Sequence, residues 1–227
     1  MSGLGLRGSD VLDKTKRHGR SVQGKSSGVT REILVIPYRA PWYELLLSGQ
    51  LNISTATGKF GVKTGSMPKK YRGWVAFYTS KARVAVEVIE RHKIHPADLA
   101  LGSIVGVGYL TDSRELTDAE KYQWYLSANK IDDTAVDELC RKHTVGSRHQ
   151  LSFEERIDVL DGELYAFVGS PLVVAGPMDV GHFYRPNSLK RFKKPVPFSY
   201  PSGPVQGTSI VITPALRRAL RDVNAAI

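Results

Sequence analysis

The chain has 227 residues, of which 41% are hydrophobic and 9% are aromatic. This composition is typical of a globular protein and excludes collagen-like and wholly disordered chains. Lysine and arginine number 32 against 22 acidic residues, a net charge of +10, which favours a polyanionic partner such as nucleic acid or an anionic membrane. The single cysteine, Cys140, excludes an intrachain disulfide and fits a reducing compartment.

The sequence carries no strong targeting signal. No run reaches the roughly 18 consecutive apolar residues of a membrane-spanning helix, and the first thirty residues lack the apolar core of a secretory signal. Those residues are basic, but their six glycines and two aspartates oppose the amphipathic, acid-poor helix of an organelle transit peptide. We therefore expect a cytoplasmic protein without a membrane partner.

Residues 1–30 contain no aromatic side chain and place basic residues among glycine and serine, which predicts a flexible basic arm. A folded domain is expected over 31–214. Its first half is predicted to hold a strand over 33–36 that ends at Pro37, a helix from Pro41 to Gly49, and a polar loop over 52–65. A strand over 74–79, a helix over 82–91 and a Gly-interrupted strand over 103–111 follow.

The second half of the domain begins with a polar helical stretch over 117–143, part of an insertion spanning about 117–150. Short apolar runs predict strands over 164–168, 172–175 and 210–212. A basic C-terminal helix is expected over 215–227, opened by Pro214. Short strands with isolated helices favour an α+β fold built on a small β-barrel.

Two patterns associated with phosphate binding occur near the N-terminus. Residues 3–8 match the spacing of a dinucleotide fingerprint, and residues 19–26 (GRSVQGKS) match a Walker A string. Both need a buried strand before the glycines and a helix after them, and neither pattern has that context here. We therefore expect no nucleotide cofactor and no hydrolysis of ATP or GTP.

Other catalytic and metal-binding patterns are weak. Cys140, His143 and His149 lack the second close pair of a structural zinc site, and Cys140 has no evident base to activate it. The carboxylates over 154–163 flank apolar residues in the manner of a solvated edge. The sequence thus predicts no metal, no other cofactor and no catalytic residue.

A resemblance to a known family carries more information. The segment 36–49 (IPYRAPWYELLLSG) is followed in order by 73–80, by 102–116 (GSIVGVGYLTDSREL) and by 183–212. These pieces resemble the strand, Pro-Trp helix and later strands of an ASCH domain, a member of the PUA-like superfamily. The resemblance covers roughly residues 33–213, with 117–160 poorly matched.

The resemblance implies a PUA-like small β-barrel with flanking helices and a helical insertion. It also implies a cleft between the first helix, the loop after it and the barrel mouth, where relatives bind RNA or modified bases. One branch of the family deacetylates N4-acetylcytidine with a Lys, a Thr and a Glu, whose positions here hold Leu51, Ser54 and Tyr109. Because these residues supply no titratable pair for proton transfer, we expect a binding domain or an enzyme with relocated residues.

Two basic clusters contain aromatic residues, a pattern that suits single-stranded nucleic acid because cations neutralise phosphates and rings stack on bases. One cluster follows the first helix and includes Phe60 and Tyr71, and the other surrounds Phe192. Polar groups at the start of the loop can read a base edge. The predicted binding residues are Asn52, Ser54, Thr55, Lys59, Lys63, Lys69, Lys70, Tyr71, Arg72, Lys190, Arg191, Lys193 and Lys194.

Three functions remain open at this point. The first is a non-catalytic nucleic-acid-binding module, with RNA favoured over DNA and with single-stranded or modified bases as targets. The second is an enzyme that acts on RNA or on a modified nucleoside, either as an N4-acetylcytidine amidohydrolase or as a nuclease. The third is a basic structural protein of a nucleoprotein particle.

Overall fold

The structure, a computed structural model, describes residues 31–56, 71–82, 85–143, 151–165, 172–177, 179–201, 207–225 and 227. Several sequence predictions lie outside these residues. They are the basic arm over 1–30, both phosphate-binding patterns, His149, Phe60, and the loop lysines Lys59, Lys63, Lys69 and Lys70.

The first strand and helix form where the sequence places them, with shifted bounds. Strand β1 (Glu32–Tyr38) continues through Pro37, so the prediction that the proline ends the strand is wrong. Among the described strands, the antiparallel neighbour of β1, residues 208–211, pairs only with the Glu32–Val35 part of β1. Pro37 therefore occupies a stretch with a neighbour on one edge, a setting that a residue without an N–H tolerates. Helix α1 (Trp42–Leu47) follows the cis Ala40–Pro41 bond.

Helix α1 ends at Leu47, two residues before the glycine that was predicted to end it. Gly49 has a φ of 75°, the left-handed conformation that glycine adopts freely after a helix. The next stretch is only partly a loop, because strand β2 (Ile53–Ala56) forms within it. Strand β3 (Gly73–Thr79), helix α2 (Val86–His92) and strand β4 (Ser103–Glu115) then follow. A short 3-10 helix over Pro96–Asp98 precedes β4.

Three helices follow β4 and share a core of their own. They are α3 (Asp118–Asn129), α4 (Asp133–His143) and α5 (Phe153–Tyr165). Tyr122, Val136 and Leu160 are buried between them. The carboxylates over 154–163 therefore lie on a helix, and the strand predicted to begin at residue 164 is wrong at its start because α5 continues to Tyr165.

The strand predicted over 172–175 is also wrong. The backbone N–H groups of Val174 and Ala175 donate to the side-chain oxygen of Asn129, and the Asn129 amide donates to the Ala175 carbonyl at 2.7 Å. A buried side chain thus satisfies the backbone groups that a neighbouring strand would otherwise pair.

The C-terminal part adds three strands and a helix: β5 (Val180–Tyr184), β6 (Lys190–Pro197), β7 (Thr208–Val211) and α6 (Pro214–Asp222). The seven described strands form one sheet in the order β2-β5-β4-β3-β1-β7, with β6 also paired to β4. The α+β class is confirmed. The terminal strands β2 and β7 do not pair with each other within the described chain, so this sheet is open rather than a closed barrel.

The sheet has a core on each face. Val75 and Phe77 of β3 pack with Tyr43 and Leu46 of α1 on one face. Ala76 and Tyr78 pack on the other face, where Leu216 and Leu220 of α6 also lie. In the part of the chain that is described, no helix is long and apolar enough to cross a membrane.

Candidate nucleic-acid interface

Strand β6 leaves regular pairing at its lysines. The pairs Gly106–Arg191 and Ile104–Val196 enclose one residue of β4 and four residues of β6, 192–195. Lys193 and Lys194 fall in this extra length, and both are exposed. Bulges of this kind redirect side chains away from the sheet, which explains why two adjacent lysines both reach solvent.

Helix α6 lies against this irregular strand. Leu216 and Leu220, four residues apart, face the core that holds Phe192 and Val196. The arginines between and after them are therefore on the outer flanks of the helix. Between β6 and α6 lies an open groove of about 380 Å³. This groove is called here the basic groove. It is lined by residues 192–197, Ala215, Arg218, Ala219 and Asp222.

The charges around the basic groove are largely uncompensated. Apart from Arg191, β6 and α6 carry six exposed cations, and within the described structure none of them forms an ion pair with a carboxylate within 4.0 Å. Asp222 is the one acidic residue in the described lining. The six cations are Lys190, Lys193, Lys194, Arg217, Arg218 and Arg221, of which Lys193, Lys194 and Arg218 line the groove.

Two predicted contributors near the groove have other roles. Arg191 pairs with Glu44 of α1, whose side chain is nearly buried. Phe192 is only 3% exposed and belongs to the core, so the idea that it offers a ring face to a base is wrong. Phe192 faces inward, whereas Arg191 and Lys193 on either side of it are exposed.

Tyr71 and Arg72 lie at the start of β3, away from the basic groove. The Tyr71 hydroxyl donates to the Trp74 carbonyl at 2.7 Å, and burial raises its pKa. Arg72 pairs with Asp112, which Arg114 also approaches at 3.6 Å. The charge of Arg72 therefore already has a carboxylate partner.

The polar residues predicted to read a base lie on or beside β2. Asn52 is exposed, whereas Ser54 and Thr55 are buried. The Ser54 hydroxyl is 2.9 Å from the Tyr184 hydroxyl, and the Tyr38 hydroxyl donates to the Thr55 carbonyl. Burial raises the pKa values of both tyrosines, so this cluster is a set of neutral hydroxyl groups at neutral pH.

The positions compared with the deacetylase residues do not converge. Leu51 is buried in the core. Tyr184, the partner of Ser54, packs on the side of β4 where Gly108 lies. Tyr109 follows Gly108 in β4, so its side chain points to the opposite face of the sheet. This arrangement brings no acid–base pair together at the three positions.

The other candidate chemistry is also weak in the described residues. Burial raises the pKa of the Cys140 thiol, which keeps it protonated and unreactive. No group of three or more His, Cys, Asp or Glu side chains among the described residues could hold a metal ion.

No family model matches the sequence, and no curated protein matches it. Similar solved structures include the ASCH protein of Zymomonas mobilis, at 9% identity and a TM-score of 0.35, over 83% of this chain and 93% of that chain. A serine-to-alanine variant has 10% identity and a TM-score of 0.34, over 86% and 97%. A tyrosine-to-phenylalanine variant has 11% identity and a TM-score of 0.32, over 85% and 98%. At these values the ASCH-type assignment stays a proposal.

The sequence prediction omitted the α6 arginines. The signal was present, since Leu216 and Leu220 are four residues apart and Arg217, Arg218 and Arg221 occupy other positions of the same helix. What the sequence did not reveal is that α6 packs on β6 and so places Arg218 in the same groove as Lys193 and Lys194. That contact joins residues separated by more than twenty positions.

Proposed function

We propose that this protein is a non-catalytic nucleic-acid-binding module in which the basic groove holds phosphates. The observation that carries the proposal is the set of three exposed cations that line the groove, Lys193, Lys194 and Arg218, none ion-paired within the described structure. Each phosphate that such a group neutralises releases condensed counterions, which makes binding favourable and dependent on salt. The net charge of +10 adds long-range attraction to the same polyanion.

The preferred nucleic acid in this proposal is RNA, and the fold is a PUA-like domain of the ASCH type. The support is the resemblance of residues 36–49, 73–80, 102–116 and 183–212 to that family, whose relatives bind RNA or modified bases. Asn52, Ser54 and Thr55 are proposed to contribute to base reading. The basic arm and the loop lysines 59, 63, 69 and 70 are proposed as further phosphate contacts.

A salt titration tests the phosphate contacts. The full chain is titrated with a fluorescent 20-nucleotide single-stranded RNA at several salt concentrations. For a single strand the log–log slope is about 0.7 for each neutralised phosphate. Replacing Lys193 and Lys194 by Gln removes two cations and should lower the slope by about 1.4.

The matched control removes two exposed cations from α4. Arg141 and Lys142 are exposed and distant in sequence from the groove, and replacing both by Gln lowers the net charge by the same amount. The control should leave most of the slope unchanged. A wild-type slope near zero contradicts the proposal, and equal losses in both double variants contradict the assignment to the groove.

The non-catalytic part of the proposal has its own test. We expect labelled RNA and N4-acetylcytidine to be recovered unchanged after incubation with the full chain. Turnover of either substrate that persists through purification and scales with protein concentration would replace a binding module by an enzyme.

A further inference from the structure

An arginine and two aromatic residues pack against one another where β3 pairs with β4. The Arg185 guanidinium carbon lies 3.7 Å from the centre of the Tyr109 ring. The Trp74 ring meets the Tyr109 ring edge-on, with centres 5.7 Å apart and planes at 86°. These three residues are called here the arginine–aromatic cluster. Arg185 is exposed, and both rings are half-buried.

Backbone hydrogen bonds fix the position of the cluster. Trp74 and Tyr109 are direct partners across β3 and β4. The Arg185 N–H donates to the Tyr109 carbonyl at 2.9 Å. The Ser188 hydroxyl accepts from the Tyr109 N–H at 3.0 Å and donates to the Arg185 carbonyl at 2.7 Å. These hydrogen bonds hold the strand that carries Tyr109 against the turn that carries Arg185, so the guanidinium lies on a ring in a fixed position.

The cluster and Lys190 of β6 share one face of the sheet. Val107 pairs with Lys190, and directly opposite residues of an antiparallel pair lie on the same face. Tyr109 is two residues after Val107 and therefore lies on that face as well. Lys190 connects the cluster to Lys193 and Lys194 along a strand that advances about 3.3 Å per residue. A short run of nucleotides can therefore contact the cluster and the groove together.

Arg185 differs from the two other described arginines that lie over aromatic rings. Arg156 lies 5.6 Å from the centre of the Tyr122 ring and donates to Asp137 at 2.7 Å. Arg114 lies 4.2 Å from the centre of the Phe183 ring, but Glu120 binds its guanidinium through two hydrogen bonds. Arg185 has no ion pair among the described residues. Because Arg185 is exposed, the side of its guanidinium opposite the Tyr109 ring is open to solvent.

We propose that the arginine–aromatic cluster is a stacking site for an unpaired base of a single strand whose phosphates lie on the basic groove. This proposal rests on the proposed function and deepens it by naming the substrate class. Bases stack on guanidinium planes as well as on aromatic rings, and the ring beneath Arg185 holds that plane in place. A duplex is disfavoured because its bases are already stacked on one another.

The test compares Arg185→Lys with wild type on single-stranded RNA, on duplex RNA of the same sequence and on inorganic polyphosphate. Lysine keeps the charge and loses the plane. We expect affinity for single-stranded RNA to fall about 5- to 100-fold, with the affinities for polyphosphate and duplex nearly unchanged. Tyr109→Leu, which removes the supporting ring, should have the same pattern. Matching thermal unfolding midpoints for Arg185→Lys and wild type show that the fold is kept.

The outcomes separate the two proposals. If wild type binds none of the three probes in a salt-dependent way, the proposed function fails. If wild type binds single-stranded RNA with the expected salt slope and Arg185→Lys binds it equally well, the stacking site is wrong and the phosphate site stands. Equal losses on all three probes also overturn the stacking site, because they indicate a charge effect.

Discussion

Arg114 and Glu120 join the end of β4 to the first turn of α3. Two guanidinium nitrogens of Arg114 donate to the two carboxylate oxygens of Glu120 at 2.8 and 2.6 Å. Glu120 also accepts from the backbone N–H and hydroxyl of Thr117, which completes a capping box. The Arg114 hydrogen bond is the main cause that lowers the pKa of Glu120 to about 2. One carboxylate therefore starts the helix and also attaches it to the sheet.

The capping box predicts a measurable loss of stability in Thr117→Ala. The Thr117 side chain accepts from the Glu120 N–H at 3.3 Å, and alanine removes that acceptor. We expect the free energy of unfolding to fall by about 1 kcal/mol, measured by urea denaturation. Ser127→Ala is the control, because Ser127 lies on the exposed side of the same helix. A larger loss in the control than in Thr117→Ala would contradict this account.

His182 predicts a specific dependence of stability on pH. Its ring is fully buried, with Nδ1 2.9 Å from the Ser113 hydroxyl, and burial lowers its pKa from 6.5 to about 4. As pH falls below about 6.5, His182 binds a proton in the unfolded chain but not in the folded chain. The free energy of unfolding therefore falls until about pH 4. Between pH 7 and pH 5 the loss from this histidine is about 2 kcal/mol.

The pH dependence is measured by urea denaturation of wild type and His182→Gln at pH 7 and pH 5. Glutamine does not titrate, so the stability difference between the two pH values should shrink by about the amount given above. Burial also lowers the pKa of His92, and this contribution remains in the variant. His95→Gln is the control because His95 is exposed. An unchanged pH dependence in His182→Gln would show that the buried imidazole is not responsible.

The elements with clear periodicity were predictable from the sequence. Ile33, Val35, Phe77 and the apolar residues of β4 lie in strands because their side chains fill both faces of the sheet. Gly49 follows the C-cap of α1 because a left-handed φ suits glycine. In these places the local residue pattern was sufficient to predict the element.

Elements that depend on distant partners were not predictable. The stretch 172–175 looks like a strand, but the Asn129 side chain satisfies its backbone groups. Strand β6 carries four charged residues and two prolines among its eight residues, and its pairing with β4 decides its conformation. The candidate site also depends on a partner distant in sequence, because the cations of β6 and α6 meet only after the helix packs on the sheet. It could therefore not be predicted from the sequence.

The residues beside β2 give a prediction about base preference. Asn52 is exposed, so Asn52→Ala should weaken discrimination among oligo(U), oligo(A) and oligo(C) without changing stability. Ser54→Ala should also weaken discrimination and lower the free energy of unfolding by about 1 kcal/mol, because the Tyr184 hydroxyl loses its partner. Lys190→Gln is the contrasting variant and should weaken all three alike. Unchanged affinity ratios in both alanine variants would remove this surface from the site.

The last prediction connects packing to binding through Gly106. A methyl group at this position would overlap the Lys190 carbonyl oxygen and lie 2.9 Å from a methyl carbon of Leu47. Because the carbonyl belongs to the strand that carries the basic groove, relief requires β6 to move away from β4. Gly106→Ala should lower the free energy of unfolding by about 1–3 kcal/mol and weaken RNA binding, although no cation is removed.

Gly162→Ala is the matched control, since a methyl group there meets no heavy atom within 4 Å and the residue lies inside α5. The control should raise stability by about 0.5–1 kcal/mol and leave binding unchanged. Urea denaturation and RNA titration of the two variants decide the matter, and a Gly106→Ala protein as stable and as tightly bound as wild type would contradict the close approach of β6 to β4.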